Sequence, residues 1–194
     1  MAEKTSEFKI VIVGGSGVGK SSVINSFCGN IVEEDLEADD QVQVVADQQV
    51  VIKRMEVQGK DICLKIVDTA GSVLENQKST KALYKGAQGI MVIYDVTHKH
   101  SFDDVPKLLQ DIDEHREGAP VVFVIGNKCD LEDRRVISIE TLEGFATDHG
   151  VYFLEVSGNT GVKVKKAFDL MTEEILLAEN QDQAAAHANH CNFL

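Results

Sequence analysis

An α/β fold is what this sequence predicts, with a mostly parallel sheet covered by helices on both faces. Three observations predict it. Short apolar, β-branched runs alternate with stretches whose apolar residues recur at helical spacing. The first run, residues 10–13, leads directly into a glycine-rich turn, Gly14-Gly15-Ser16-Gly17-Val18-Gly19-Lys20-Ser21, and then into Val23, Ile24 and Phe27 at helical spacing. The polar residues best suited to chemistry, in that turn, at Asp68, at Asn127 to Asp130 and at Ser157, all follow predicted strand ends. In open parallel sheets that rim is where ligands sit.

The 194 residues suit one domain, with no internal repeat and no linker-like stretch to divide it. Residues 1–7 read as a mobile tail, 8–179 as the folded domain and 180–194 as a flexible, alanine-rich tail. The opening Met-Ala-Glu-Lys-Thr-Ser-Glu is too polar for a secretory signal, and no apolar run is long enough for a transmembrane helix. Cys28, Cys63, Cys129 and Cys191 are scattered, which favours reduced thiols in the cytoplasm over a disulfide framework or a zinc site. His187, His190 and Cys191 lack a fourth ligand and carry no metal site. A formal charge of −13 argues against nucleic acid and against direct docking on anionic lipid.

In chain order, residues 10–13 suit a strand buried on both faces. Residues 14–21 fit G-x-x-x-x-G-K-[ST], the phosphate-binding loop. Its glycines permit positive φ, so successive N–H groups converge on a phosphate. The helix N-terminus adds partial positive charge and Lys20 a full one, while the Ser21 hydroxyl can ligate Mg²⁺. That helix spans about 20–28 and stops at Gly29-Asn30, a pair suited to a C-terminal cap.

Residues 33–40 hold six acids in eight positions and read as a solvated loop. Strands follow at 49–57 and 62–67, joined as a hairpin through Gln58-Gly59-Lys60-Asp61. Asp68-Thr69-Ala70-Gly71 ends the second of them, and a polar helix is expected over about 74–85. Residues 89–94 form another buried strand. Ser101 then opens a helix with Asp104 as its capping partner, burying Val105, Leu108, Leu109 and Ile112, although Pro106 blurs its start. A strand at 121–125 leads into Gly126-Asn127-Lys128-Cys129-Asp130. Ser138 caps a helix that buries Leu142, Phe145 and Ala146, and 151–155 is the last strand. Val164, Ala167, Phe168, Met171 and Ile175 give the final helix its apolar stripe.

Asn127-Lys128-Cys129-Asp130 discriminates among nucleotides. A carboxylate such as Asp130, held at a base edge, needs adjacent N–H donors. Guanine offers N1–H and its 2-amino group, and adenine offers neither there. A site built this way rejects the wrong base by about 10⁴-fold or more. The Lys128 stem can lie over the base plane, and Asn127 can tie this loop to the phosphate loop.

Residues 14–21, Asp68 to Gly71, Asn127 to Asp130 and Ser157-Gly158-Asn159, in that order, resemble the guanine-nucleotide motifs of Ras-superfamily small GTPases. Tyr84-Lys85-Gly86-Ala87-Gln88-Gly89, Tyr94-Asp95-Val96-Thr97 and Ser101-Phe102-Asp103-Asp104-Val105 look like the Rab branch. The resemblance covers roughly 8–179 and implies a P-loop G domain with a six-stranded sheet, acting as a GTP/GDP switch in vesicle traffic with regulator and effector proteins. It implies phosphate contacts from Ser16, Gly17, Val18, Gly19, Lys20, Ser21, Ser22 and Gly71, with Lys20 as the catalytic cation on the β- and γ-phosphates. Asn127, Lys128, Asp130, Ser157, Gly158 and Asn159 would hold the base. Ser21 and Asp68 would hold Mg²⁺, Asp68 through water.

The departures gather in the switches. Between Ser22 and Asp68 there is no Thr to ligate Mg²⁺ and sense the γ-phosphate, and the acidic block lies there instead, in a loop longer than the family's. Val32 stands where an aromatic normally packs on guanine, and Ser72 where a Gln orients the attacking water, with Gln77 nearby. Asn159 replaces a lysine of the base loop. Losing one positioned transition-state contact costs about 10²–10³ in rate, so binding should survive better than hydrolysis. The acidic block could bias the site toward GDP by repelling the γ-phosphate, although a solvated loop is the plainer reading. The alternative from another class is a pseudo-GTPase, a binding module holding one nucleotide as a structural ligand. An adenine-nucleotide enzyme is disfavoured by Asp130.

The last four residues, Cys191-Asn192-Phe193-Leu194, fit C-a-a-X loosely, with Leu indicating geranylgeranyl. Asn192 departs from the aliphatic preference, Cys191 is the tail's lone cysteine and no Lys or Arg follows Lys166. Prenylation would therefore give reversible attachment of a monomer to the cytoplasmic face of endomembranes.

Overall fold

Alternation along one strand divides the molecule into its two layers. The computed structural model describes residues 5–29, 41–45, 48–69 and 80–191. In β1 (Ser6–Val13), Phe8, Ile10 and Ile12 turn to the face covered by α1 (Lys20–Cys28) and α6 (Val164–Cys191). Val11 and Val13 turn to the other face. There they meet α2 (Thr80–Tyr84), α4 (Val105–His115) and α5 (Ile139–His149), with the short α3 (Lys99–Asp103) contributing Phe102. All five of these β1 side chains are fully buried, as a strand covered on both faces requires.

β1 lies parallel between β4 (Lys60–Asp68) and β5 (Gly89–Asp95). β6 (Val121–Asn127) and β7 (Tyr152–Glu155) extend the sheet in parallel on one side. On the other side β3 (Gln48–Val57) runs antiparallel to β4, and β2 (Gln41–Val45) antiparallel to β3. The order is β2-β3-β4-β1-β5-β6-β7. Six of these strands answer to the six that the family resemblance implies. β2 is a seventh, Gln-Val-Gln-Val-Val, whose β-branched residues favour an extended chain just after the acidic block.

Local chemistry explains the boundaries. Gly29 ends α1 at φ 85°, as a left-handed cap. Gln58 and Gly59 both take positive φ, 51° and 74°, making a tight two-residue turn closed by the Val57–Lys60 pair. Lys60 and Asp61, expected in that turn, therefore belong to β4.

Ser101 does not open a helix. It sits inside α3, where its hydroxyl accepts from the Asp95 N–H at 3.0 Å and donates to the His98 carbonyl at 2.7 Å, so it is not available to cap. Asp104 stands between α3 and α4 and pairs with Lys107 at 2.8 Å, and Pro106 fits the first turn of α4. Phe145 is only half-buried, stacked on His149 and edge-on to Phe102. The final helix continues through 180–191, where a flexible tail was expected, because glutamines and alanines are good helix formers and no Gly or Pro intervenes. Asn30, the acidic block at 33–40 and most of the expected helix at 74–85 lie outside the described residues, apart from the Thr80–Tyr84 turn.

Phe168 is fully buried on α6 and stacks on Phe27 of α1 with ring centroids 3.9 Å apart. Phe168→Ala should cost about 3–5 kcal/mol of unfolding free energy, read from the urea midpoint.

Candidate functional site

The C-terminal ends of β1, β4, β5 and β6 deliver the polar residues to one rim. Gly14 leaves β1 at φ 154°, and a Cβ there would strike the Ile93 carbonyl. Gly19 stands before α1 at φ 91°, where a Cβ would strike the Asn127 amide. Only glycine lets the loop lie so close to β5 and β6. Lys20 is buried, and its ammonium donates to the Gly14 carbonyl at 3.0 Å and the Gly15 carbonyl at 2.9 Å. Burial pulls its pKa below the usual lysine value, with the charge of Asp68 opposing.

Asp68 ends β4 beside the first turn of α1. The Ser21 hydroxyl donates to Asp68 Oδ2 at 2.6 Å, while Asp68 Oδ1 is buried with no hydrogen-bond partner among the described residues. A buried carboxylate oxygen left over beside a hydroxyl is a donor set that fits a hard divalent cation such as Mg²⁺. Thr69 fixes this strand end by donating to the Ile12 carbonyl at 2.8 Å.

Asn127, the last residue of β6, is buried and works in two directions. Its amide donates to the Val18 carbonyl at 2.8 Å, and its carbonyl accepts from the Gly158 N–H at 2.9 Å. The phosphate loop and the Ser157-Gly158-Asn159 loop are thereby held by one side chain. Ser157 is fully buried, its hydroxyl accepting from the Thr160 N–H at 3.0 Å. A Cβ on Gly158 would come within 2.8 Å of the Val23 nitrogen, which accounts for glycine there.

Lys128 takes φ 66°, uncommon for a residue with a side chain, and donates to the Gly17 carbonyl at 3.0 Å. Its ammonium also meets Asp95 Oδ2 at 2.6 Å. Asp95 Oδ1 accepts from the Thr97 N–H at 2.8 Å and the Thr97 hydroxyl at 2.7 Å. Burial raises the Asp95 pKa, but the bonds from Lys128 and Thr97 outweigh it and hold the carboxyl below the usual range. Burial, with Glu155 and Asp130 nearby, pushes the Cys129 thiol up. Asp130 and Asn159 are exposed at the rim, and Ser16, Gly17 and Ser22 likewise face outward.

The structure thus brings 14–22, Asp68, Asn127, Lys128 and 157–159 together. Gly71, Ser72, Val32 and Gln77 lie outside the described residues, and Cys191 is the last residue of α6. In the sequence Asp95 and Thr97 stand only as part of the family resemblance; a carboxylate ending an apolar run marks the rim of the sheet, but its meeting with Lys128 is not readable from spacing.

A model of the Ras family matches residues 9–177. Ras-related protein Rab-10 of Caenorhabditis elegans is 40% identical over 169 residues, covering 87% of this chain and 81% of that protein. Rab-10 of Diplobatis ommata is 37% identical over 178 residues, covering 91% and 86%. Human Rab-8B is 35% identical over 174 residues, covering 90% and 81%. Among the described residues no helix is long and apolar enough to cross a membrane.

Because the folded pKa of Asp95 is depressed, its stabilisation is present above the unfolded value of about 3.9 and is lost as pH falls through the folded one. Urea midpoints taken from pH 7 down to pH 3 should therefore fall more for the wild type than for Asp95→Asn.

Proposed function

The chain belongs to the Ras family, as a Rab-like GTP-binding small GTPase of vesicle traffic that uses GTP, GDP and Mg²⁺, and we propose that it holds nucleotide firmly while hydrolysing GTP slowly. Regulator and effector proteins are its partners, as for the family. The observation that carries the nucleotide reading is the Asn127 carboxamide, bonded to the phosphate loop and to the base loop at once. It supports one ligand reaching from glycine loop to base loop.

In this reading the loop N–H groups from Ser16 to Ser22 receive the phosphates. Lys20 exchanges its bonds to the Gly14 and Gly15 carbonyls for phosphate oxygens, with little rearrangement of an already buried ammonium. Gly71 is the further nucleotide contact that the family resemblance implies. Ser21 and Asp68 hold Mg²⁺, which when bound neutralises charge on the β- and γ-phosphates. Asp130 accepts from the guanine N1–H and 2-amino group, while Ser157, Gly158 and Asn159 offer backbone donors to O6.

Slow hydrolysis follows from what the switches lack. No Thr lies between Ser22 and Asp68, and Ser72 is too short to orient a water as Gln does, unless a partner supplies the missing group. The protein acts as a monomer on the cytoplasmic face of endomembranes. Its attachment runs through a prenyl group on Cys191 and is reversible, because no basic second signal follows Lys166.

Two measurements test this. In competition binding, guanine nucleotides should displace adenine nucleotides strongly, and Asp130→Ala should erase that preference; wild-type indifference to the base would remove the nucleotide reading. In single-turnover hydrolysis with Mg²⁺, run beside the Caenorhabditis elegans Rab-10 relative, this chain should be slower by about 10²-fold or more, and Ser72→Gln should recover part of the difference. Equal rates would leave binding intact and end the claim of slow hydrolysis.

A further inference from the structure

We propose that Asp95 is a positioning residue for the nucleotide: its carboxylate holds the Lys128 ammonium where that side chain spans from the base loop to Gly17 of the phosphate loop. The inference rests on the guanine-nucleotide reading above and adds to it a residue outside the nucleotide-contacting set.

The placement is specific. Asp95 ends β5 directly beside Asn127 in the ladder, so it stands between the two strands that carry the nucleotide loops. Both carboxylate oxygens are committed. Oδ1 takes the two Thr97 donors, and Oδ2 takes Lys128 at 2.6 Å, with only 9% of the side chain exposed. The backbone beneath is pinned as well, since the Asp95 N–H donates to Ser101 Oγ at 3.0 Å. Thr97 alone satisfies only one oxygen, so what the second oxygen does is hold Lys128.

Lys128 needs holding. Its backbone sits at φ 66°, a conformation that costs a non-glycine residue and persists only where the surroundings over-determine it. Its side chain is flexible, and a solvated ammonium on a chain of net charge −13 has many other carboxylates to visit. The Asp95 contact and the Gly17 carbonyl at 3.0 Å together stretch the methylene stem between the two loops before ligand arrives. A stem ordered in advance loses less freedom on binding, and its release must accompany departure of the base beneath it. Nucleotide dissociation is therefore the step that Asp95 controls.

The test is a double-mutant cycle read in the dissociation rate of fluorescently labelled GDP chased with excess unlabelled GDP. Asp95→Asn should raise that rate ten- to a hundredfold, and Thr97→Val, a milder change that keeps the carboxylate, severalfold. In a Lys128→Met background both effects should vanish, because the group they position is gone. A merely structural role for Asp95 would give the same acceleration with or without Lys128, and that additivity would overturn the proposal, as would an unchanged rate in Asp95→Asn. If Asp95→Asn fails to fold, the Thr97→Val arm of the cycle decides alone by the same criterion. Wild-type protein that retains no guanine nucleotide would overturn the underlying reading, whereas tight wild-type binding with additive variants overturns only the role of Asp95.

Discussion

One side-chain amide sets the spacing of the site. Asn127 reaches the Val18 carbonyl on one side and the Gly158 nitrogen on the other, and both bonds require close approach of backbone segments far apart in sequence. That approach dictates the glycines. Gly19 admits the Asn127 amide, Gly14 admits the Ile93 carbonyl, and Gly158 admits the first turn of α1. A Cβ at any of the three would push the loops apart, so their shape is a property of the packed sheet rather than of the loop sequence alone.

Charge is arranged by the same means. The chain is strongly acidic, yet two ammonium groups stand at its nucleotide rim, each held by acceptors of the protein's own. Lys20 rests on two carbonyls of its loop, and Lys128 on a carbonyl and a carboxylate. Lys20 donates to two neutral carbonyls close to the charge of Asp68, whereas the Lys128 ammonium meets a full carboxylate directly.

Much of this was legible in the sequence. The runs at 10–13, 89–94 and 121–125 are apolar and β-branched, and each became a buried strand. Their polar ends were less visible, because Asp95 and Asn127 pair through backbone groups that hydrophobic patterning does not report. Lys99-His100-Ser101 carries no apolar period, so α3 had no signal, and Ser101 read as a cap although its hydroxyl is bound to β5 and His98. The polar, alanine-rich end of α6 resembled a tail by charge while its helix propensity pointed the other way. Motif spacing singled out residues 14–21, Asp68 and Asn127 to Asp130, and the strand ends bring these segments to one rim. The Asp95–Lys128 pair needed the third dimension, since only the sheet order brings the end of β5 against the base loop.

The added strand alters one border of the molecule. β2 pairs with Gln48 through Ile52 of β3, and the remaining half of that strand, Lys53 to Val57, has β4 on its inner side alone within the described sheet. The outer margin is consequently stepped, with Gln-Val-Gln-Val-Val forming the forward tread and Lys-Arg-Met-Glu-Val the recessed one. Along its outer side β3 therefore changes partner midway, from β2 beside Gln48 to Ile52 to no strand of the described sheet beside Lys53 to Val57.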